Sequence, residues 1–341
     1  MFSCWKTENH KKAESERISL MNGRMLLEKL IASCDGRCNP IRIFSADELS
    51  RATDDYDPRK IITQDSGYKL YNGLLHERTI SVKKFKDKSE QYKYCYNDIM
   101  FATQMSKHKN FLKLLGCCLE TQIPVLVFEP IEYGTLAGRL YGPNKTLYQP
   151  LLWRHRLKIA VEIANAVSYL HTAFSRPIVF RNIKPLNIFL DECHVAKLSD
   201  FSLAVSIPEG ESHVKDMLAG AWGLIAPEYA KTSCFNESQD VYNFGVFLLM
   251  LLTGQKVVDS YRPQAGEELG LVDHVKKFIA DDRFYETVDS IILGEGSLPE
   301  KDQQLQAFTL LSFRCISEAD EDRPMMIDVA KELRKMYKCC P

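Results

Sequence analysis

The sequence lacks a long hydrophobic run, an excess of one charge, and a secretory start. Its longest uninterrupted apolar stretch, Val246 to Leu252, is far shorter than the roughly 20 residues that a membrane-spanning helix needs. The 44 basic and 45 acidic residues nearly cancel, so no nucleic acid or other polyanion is expected as a partner. Met1 to Arg17 is polar and charged, which excludes a signal-peptide pattern there. Phe2 is not the glycine that N-myristoylation requires.

The 11 cysteines form no paired C-x-x-C motifs, so no metal site is expected. Scattered cysteines in apolar surroundings, such as the neighbours Cys117 and Cys118, are typical of the reduced thiols of a cytosolic protein. Cys4, Cys339 and Cys340 lie near the termini. Palmitoylation of these three residues is an alternative to plain tail cysteines.

The order of the elements, strands first and helices afterwards, predicts an α+β fold with a small β-rich lobe and a larger helical lobe. We expect an N-terminal extension over 1–43, the β-rich lobe and hinge over 44–131, and the helical lobe over 132–341. Apolar residues at helical spacing predict a short amphipathic helix over 22–32. This helix is expected to pack on the body of the domain, and a partner-binding helix is the alternative.

A capping box, Ser45 followed by Glu48, predicts the start of a second short helix. Further strands and helices follow from the period of the apolar residues. The predicted strands are Ile61–Ile62, Tyr68–Tyr71, Thr79–Phe85 and Pro124–Phe128, and the predicted helices are Tyr92–Met105, Leu157–Ala173 and Val241–Leu252.

The segment from Phe180 to Asn187 has the spacing of the protein-kinase catalytic loop, H-R-D-x-x-x-x-N. In that loop the Asp accepts the proton of the substrate hydroxyl and the Asn binds a metal ion. Here Asn182 stands at the base position, and an amide cannot accept a proton as a carboxylate does. Lys184 and Asn187 are retained at the positions that contact the transferred phosphate and the metal. The loop therefore predicts a kinase frame without an intact catalytic site.

The segment that ends at Gly73 resembles the glycine-rich loop of kinases, but Thr63, Asp65 and Tyr68 replace the loop glycines. Glycine allows backbone N–H groups to approach phosphates closely. Thr63 and Tyr68 obstruct that approach, and Asp65 adds a negative charge facing an anion. We therefore expect binding of ATP and Mg²⁺ to be weak or absent, and no other cofactor.

Charged residues of the nucleotide site are nevertheless present. The string I-S-V-K matches V-A-I-K and ends at Lys83, which is the phosphate-pairing lysine of that motif unless it is a solvated surface charge. The string N-D-I aligns Asp98 with the glutamate that pairs with this lysine, although its side chain is one methylene shorter. Asp200 in S-D-F-S stands at the metal-binding D-F-G position.

The string V-L-V-F-E-P-I resembles the last strand of the small lobe and the hinge of kinases, although a core strand would have the same composition. The Glu129 carbonyl and the Ile131 amide would face adenine there. Structural positions of the large lobe are also retained. Glu228 of A-P-E is expected to pair with Arg323, and Asp240 is expected to accept hydrogen bonds from amides of the catalytic loop.

From Phe44 to Tyr337 these motifs follow the order of plant receptor-like and receptor-like cytoplasmic kinases, and the chain most resembles the ZRK family of receptor-like cytoplasmic pseudokinases. The strings that carry this likeness are P-I-R-I-F-S at 40–45, Y-N-D-I at 96–99, K-L-L-G-C-C-L-E at 113–120 and I-A-N-A-V-S-Y-L-H-T-A-F at 163–174. The resemblance implies an adaptor or decoy in effector-triggered plant immunity. Its implied partners are a coiled-coil NLR immune receptor, through the leucine-rich repeats, and bacterial effectors or receptor-like cytoplasmic kinases. Its implied location is the cytoplasm, or the plasma-membrane periphery through the complex.

Two other functions stay open at this point: a weakly active serine/threonine kinase and a pseudokinase that binds ATP as a switch. The first is open because positioning and electrostatics supply most of phosphoryl-transfer catalysis. In the adaptor hypothesis, the activation segment from Asp200 to Glu228 receives a partner or is itself modified. The hydroxyl groups available for modification are those of Ser202, Ser206 and Ser212, which could equally be ordinary loop serines.

Overall fold

A computed structural model of the chain describes residues 2–34, 41–86, 91–142, 149–258, 270–296 and 299–339. The chain divides into two compact units. The first unit consists of Met1–Gly134 with Ser199–Ser202, and the second of Thr135–Leu198 with Leu203–Pro341. Among the described residues, no helix combines the length and the apolar character that crossing a bilayer requires.

The first unit is built on a six-stranded sheet in the order β1-β5-β6-β4-β3-β2. Its strands are β1 (Arg42–Ile43), β2 (Ile61–Gln64), β3 (Tyr68–Leu75), β4 (Arg78–Phe85), β5 (Leu114–Cys118) and β6 (Val125–Phe128), and its helices are α1 (Phe2–Cys34), α2 (Ala46–Ala52) and α3 (Gln91–Met105). The short β1 pairs with β5 in parallel, and the other pairs are antiparallel. A Cβ on Gly116 would lie 1.9 Å from the Arg42 carbonyl oxygen, so this close approach of β1 to β5 requires glycine.

Helix α2 begins where the capping box predicts. Ser45 Oγ accepts from the Glu48 amide at 3.1 Å, and Glu48 Oε2 accepts from the Ser45 amide at 2.8 Å. Leu49 and Ala52 of this helix pack against Val82 and other residues of one sheet face, which forms a buried apolar core. The helix is therefore held both by its own cap and by the sheet.

Helix α1 includes the predicted helix over 22–32 and extends well beyond it toward the N-terminus. The Asn22 side chain donates to the carbonyl oxygens of Leu119 and Thr121 at 2.8 and 3.0 Å, and it accepts from the Tyr96 hydroxyl at 2.8 Å. Asn22 is itself fully buried. These contacts join α1 to α3 and to the turn after β5, in agreement with the packing interpretation.

The second unit is mainly helical. Its helices are α4 (Leu136–Tyr141), α5 (Trp153–Thr172), α6 (Pro227–Thr232), α7 (Ser238–Thr253), α8 (Leu271–Ala280), α9 (Ser290–Gly294), α10 (Pro299–Cys315) and α11 (Met326–Lys338), and its strands are β7 (Ile178–Val179), β8 (Ile188–Leu190), β9 (Ala196–Leu198), β10 (Val205–Ser206), β11 (Val214–Lys215) and β12 (Cys234–Phe235). Among the described strands of this unit, β7 pairs with β10, β8 with β9, and β11 with β12.

Helices α5 and α7 form the centre of this unit, where α11 packs on α5 and α10 packs on α7. Helix α7 is apolar around most of its circumference, as expected for a helix inside a core. Both α5 and α7 begin before the predicted ranges, since their first turns are largely polar and carry no apolar signal. The small β-rich lobe and the larger helical lobe of the sequence prediction are both present.

Candidate functional site

Lys83, near the end of β4, is the centre of a buried charge cluster in the first unit. Its ammonium nitrogen lies 2.6 Å from Asp98 Oδ2 and 2.7 Å from Asp200 Oδ1. Its side chain is only 2% exposed. Burial disfavours the charge, but the carboxylates of Asp200 and Asp98 outweigh burial and raise the pKa of Lys83 above its ordinary value. The ion pair that the sequence left in doubt is therefore formed, in spite of the shorter aspartate.

Tyr68, at a glycine position of the predicted phosphate loop, covers this cluster. Its ring centroid lies 4.1 Å from the Lys83 ammonium, within the range of a cation–π contact. The ring also packs edge-on to Phe85, with the centroids 6.4 Å apart. Burial, followed by the negative charges of Asp200 and Asp65, raises the pKa of the Tyr68 phenol well above its ordinary value, so the group stays neutral. Lys83 is thus surrounded by two carboxylates and an aromatic face.

The loop between β2 and β3 is a tight hairpin turn rather than a glycine-lined arch. The Asp65 amide donates to the Tyr68 carbonyl at 3.0 Å, so the strands are already closed at this point. The Asp65 carboxylate accepts from the Ser66 amide at 2.7 Å. Thr63 lies within β2, paired with Leu70. The side chains at the former glycine positions therefore belong to a closed hairpin with a local acidic group.

The predicted hinge amide has a partner inside the unit. The Ile131 N–H donates to Ser81 Oγ at 3.1 Å, and Ser81 is fully buried. Ser81 occupies the alanine position of V-A-I-K, where alanine has no acceptor to offer. The amide that the sequence predicts to face adenine therefore already donates a hydrogen bond to the Ser81 hydroxyl. Glu129, two residues earlier, binds the backbone of Lys113 through its own amide at 3.0 Å and its carboxylate at 3.2 Å.

The S-D-F-S segment is docked on helix α3. Asp98 Oδ1 accepts from the Phe201 amide at 2.9 Å, so Asp98 holds both Lys83 and the backbone after Asp200. The Phe201 ring packs against those of Phe101 and Phe111, with the centroids 6.2 and 5.4 Å apart. Asp98 therefore performs a structural task that the motif alone did not reveal.

Asp240 of α7 holds the backbone of the catalytic loop in the second unit. The fully buried Asp240 carboxylate accepts from the amides of Phe180 and Arg181, both at 2.7 Å, as predicted. Arg181 has a φ of +63°, a left-handed conformation that costs a non-glycine residue about 1 kcal/mol or more. The two hydrogen bonds to Asp240 offset this strain. Phe180, at the histidine position, is fully buried as an apolar core side chain.

A second buried side chain of α7 also holds this loop. Asn243 accepts from the Ile183 amide at 2.8 Å and donates to the Ile183 carbonyl at 3.0 Å. The Asn187 amide group donates to the carbonyl of Asn182 at 3.1 Å. The sequence analysis missed Asn243, although an asparagine inside an otherwise apolar helix is a signal, because a buried amide needs partners. Lys184 is half-buried at the start of the turn that carries Asn187.

Arg181 also fixes the activation segment. Its guanidinium lies 3.1 Å from Asp216 Oδ2, donates to the Leu203 carbonyl at 2.7 Å and to the Tyr229 hydroxyl at 3.1 Å, and stacks 4.5 Å over the Phe235 ring. The position of Asp216 opposite this arginine was not predicted. It supplies a permanent negative charge where a phosphorylated side chain could otherwise supply one.

The stretch after Asp216 displays apolar side chains on an ordered backbone. The Tyr229 hydroxyl donates to the Met217 carbonyl at 2.6 Å and accepts from the Ala219 amide at 3.0 Å. The side chains of Met217 and Trp222 are nevertheless 76% and 82% exposed. We call Met217, Leu218 and Trp222 the display patch. The three predicted hydroxyls differ in setting, since Ser202 and Ser206 are half-buried and Ser212 is exposed.

The A-P-E glutamate forms its predicted ion pair. Arg323 binds Glu228 through both terminal nitrogens, at 2.6 and 2.8 Å. The arginine side chain is fully buried, and its Nε donates to the Ser317 carbonyl at 2.9 Å. This bidentate pair anchors α6, and with it the end of the activation segment, to the start of α11.

The sequence-derived site residues thus form two groups, one in each unit. Lys83, Asp98, Asp200 and Tyr68 are in contact in the first unit, and the catalytic loop is bound to Asp240 in the second. The nucleotide-binding role of the retained residues stays a prediction. These residues are Lys83, Asp98, Glu129, Ile131, Asn187 and Asp200.

Comparison with known proteins agrees with this geometry. The family model "protein tyrosine and serine/threonine kinase" matches residues 66–333. Three similar proteins come from Arabidopsis thaliana. "Non-functional pseudokinase ZED1" is 43% identical over 338 residues, which cover 97% of this chain and 99% of that protein. "Serine/threonine-protein kinase ZRK1" is 40% identical over 95% of this chain and 93% of its own length, and "Non-functional pseudokinase ZRK2" is 38% identical over 96% and 92%.

Proposed function

Since this chain belongs to the protein kinase family, and within it to the ZRK kinases and pseudokinases, we propose that it is a catalytically impaired pseudokinase that works by binding other proteins. Its role is that of an adaptor or decoy linking pathogen effector activity to a coiled-coil NLR receptor of plant immunity, in the cytoplasm or at the plasma-membrane periphery through that complex. The observation that carries the impairment is the closed cluster of Tyr68, Lys83, Asp98 and Asp200.

The residues present do not fit Mg²⁺-ATP well. A phosphate would have to displace the Tyr68 ring from Lys83, whose ammonium already binds two carboxylates. Adenine would have to break the hydrogen bond from Ile131 to Ser81. At the position of the catalytic base, Asn182 has an amide, whereas accepting the substrate proton requires a carboxylate. Each of these obstacles acts on a different part of the nucleotide or of the reaction.

A weakly active kinase is the second candidate, because the relatives ZRK1 and ZRK4 are named serine/threonine-protein kinases and the residues Lys184 and Asn187 are retained. Loss of a general base lowers a rate by roughly 100- to 10,000-fold, which leaves room for residual transfer. Radiolabelled autophosphorylation that disappears in the variant Lys83→Ala would establish this candidate and overturn the first.

The binding role is supported by the display patch. Aromatic and methionine side chains are common anchors of protein interfaces, and the display patch exposes both types within six residues of chain. The ion pair between Arg181 and Asp216 holds the activation segment next to the display patch without phosphorylation. A segment that is already ordered binds with a smaller loss of conformational entropy than a disordered one.

Nucleotide binding is tested by thermal shift with ATP, with and without Mg²⁺. A ligand at 100 times its Kd adds about 2.7 kcal/mol of stability, and we expect no such shift for the natural chain. The double variant Ser81→Ala, Tyr68→Gly frees the hinge amide and uncovers Lys83, so it should gain a measurable shift. Ser106→Ala is the matched control. A full shift of the natural chain would contradict the proposal.

The adaptor role is tested by co-purification with the leucine-rich-repeat region of coiled-coil NLR receptors from the host plant. We expect retention of the natural chain by one of these receptors, followed by recruitment of a receptor-like cytoplasmic kinase or an effector. Trp222→Ala should weaken the recruitment, while Leu74→Ala, at an exposed apolar residue of the first unit, should not. Failure to bind any of the receptors would refute the adaptor role.

A further inference from the structure

A cavity of about 300 Å³ lies on the second unit, and Arg323 is one of its lining residues. It is lined by residues 171–172 at the end of α5, by 236–238 and Val241 at the start of α7, and by 323–327 at the start of α11. We call it the α7 pocket. Its volume is at the lower end of the range of binding pockets for small ligands or peptide side chains.

The walls of the α7 pocket are preformed. Arg323 is fixed by Glu228 and by the carbonyls of Ser317 and Ser238, at 2.9 and 3.2 Å. Its charge is therefore neutralised within the wall. Met325 is 73% exposed beside the pocket, although a side chain of this type gains free energy when it is covered. The wall thus combines a rigid polar base with an uncovered apolar rim.

His171 presents an unsatisfied acceptor in this pocket. Its side chain is 8% exposed, and Nε2 lies 2.9 Å from the buried Asp240 carboxylate. A carboxylate can only accept, so Nε2 carries the proton of that hydrogen bond and Nδ1 of the neutral ring is an acceptor. Nothing in the described part of the chain donates to Nδ1. Nδ1 is accessible rather than sealed in the core, so a ligand that donates a hydrogen bond can reach it.

The surroundings of the pocket are negatively charged. Glu237, which is half-buried in the lining, has no ion-pair partner within the described residues. The segment that leads into Arg323 reads E-A-D-E-D over 318–322, and its acidic side chains likewise form no ion pair within the described chain. The field at the pocket mouth therefore attracts a cation.

From the cavity, the open acceptor of His171 and the uncompensated carboxylate of Glu237, we infer that the α7 pocket binds a protein segment in which an arginine adjoins a large apolar residue. The guanidinium has several donors in one plane, so it can serve both an imidazole and a carboxylate. The apolar neighbour covers the rim formed by Met325 and Ile327. This site is independent of the proposed adaptor function and of the nucleotide residues.

The test uses oriented decapeptide libraries on the immobilised full chain. Each library fixes Leu-X-Leu at its centre, where X is arginine in one, its neutral isostere citrulline in the second, and glutamate in the third. We expect selective retention of the arginine library, with the Kd of the best selected peptide rising at least about tenfold in Glu237→Gln and rising with salt concentration. Met325→Ala should weaken binding as well, while Glu300→Gln, an equal change of charge on an exposed glutamate of α10, should have no effect.

Equal retention of the arginine and citrulline libraries would overturn the inference, and so would binding that is unchanged in Glu237→Gln. The melting temperatures of the variants are compared first, so that a folding defect is not taken for lost recognition. Dimerisation of the chain that is lost in Glu237→Gln would assign the α7 pocket to a second copy, and would likewise overturn the inference.

Discussion

Replacement of Lys83 by methionine should destabilise this protein strongly, even though the lysine has the position of a catalytic residue. The change leaves two carboxylates, Asp98 and Asp200, next to each other in an interior where their side chains are 0% and 5% exposed. Removing one partner from a buried ion pair costs about 3–5 kcal/mol. At an unfolding entropy of about 2.1 cal/mol/K per residue, a chain of 341 residues loses about 1–2 °C of melting temperature per kcal/mol. The expected decrease is therefore about 3–10 °C.

The assay is thermal unfolding by differential scanning fluorimetry, with Lys84→Met as the matched control on the same strand. Lys84 is exposed, so its replacement should cost less than about 1 kcal/mol. Changing Asp98 and Asp200 to asparagine in the Lys83→Met background should recover part of the loss, since no buried charge then remains. A decrease for Lys83→Met no larger than that for Lys84→Met would refute the reasoning.

The pH dependence of the stability deficit of Lys83→Met provides an independent test of the same prediction. In Lys83→Met the pKa values of the uncompensated carboxyls are raised in the folded state, because burial favours their neutral form. Such groups bind protons more tightly in the folded than in the unfolded chain, so the stability deficit narrows as pH falls toward about 5. A deficit that stays constant between pH 8 and 5 would contradict the assignment of the loss to uncompensated carboxylates.

Three further outcomes are expected. Asp216→Ala removes the ion pair of Asp216 with Arg181, so limited proteolysis should cut within residues 217–222 faster than in the natural chain. An unchanged cleavage rate would show that this ion pair does not hold the activation segment. Asn243→Leu leaves the buried amide of Ile183 without an acceptor and should lower stability by about 1–3 kcal/mol in urea unfolding, and a neutral result would show that the loop finds another partner. Burial holds the pKa of His155 below its ordinary value, so the unfolded chain takes up the proton first and stability should decrease as pH falls below about 6.5; His155→Gln should reduce this decrease, and an identical pH profile would exclude the assignment.

Much of the frame of the site could be predicted from the sequence, because a motif fixes the chain positions of partners far apart in sequence. The ion pair of Arg323 with Glu228 and the hydrogen bonds from the catalytic loop to Asp240 are of this kind. The capping box of Ser45 is predictable for a different reason, since its two hydrogen bonds lie within four residues.

The contacts of the site that could not be predicted depend on the direction in which a side chain points. The sequence indicates that Tyr68 obstructs a phosphate, but only the structure places its ring against Lys83. Ser81 differs from the expected alanine by one oxygen atom, and the pattern of the strand gives no sign that this oxygen reaches Ile131. Asn243 could have been found, because a polar residue in an apolar helix needs an internal partner.

The hydrogen bond between Ser81 and Ile131 also bears on chemical probes for this protein. A compound that imitates adenine relies on the hinge amide, and here it competes with a hydroxyl that is covalently part of the neighbouring strand and is always present. Affinity resins and fluorescent tracers built on adenine mimics should therefore fail to capture this chain from extracts that contain active kinases. Replacing the Ser81 hydroxyl by hydrogen, as in Ser81→Ala, makes the chain a candidate for capture without changing any charged residue.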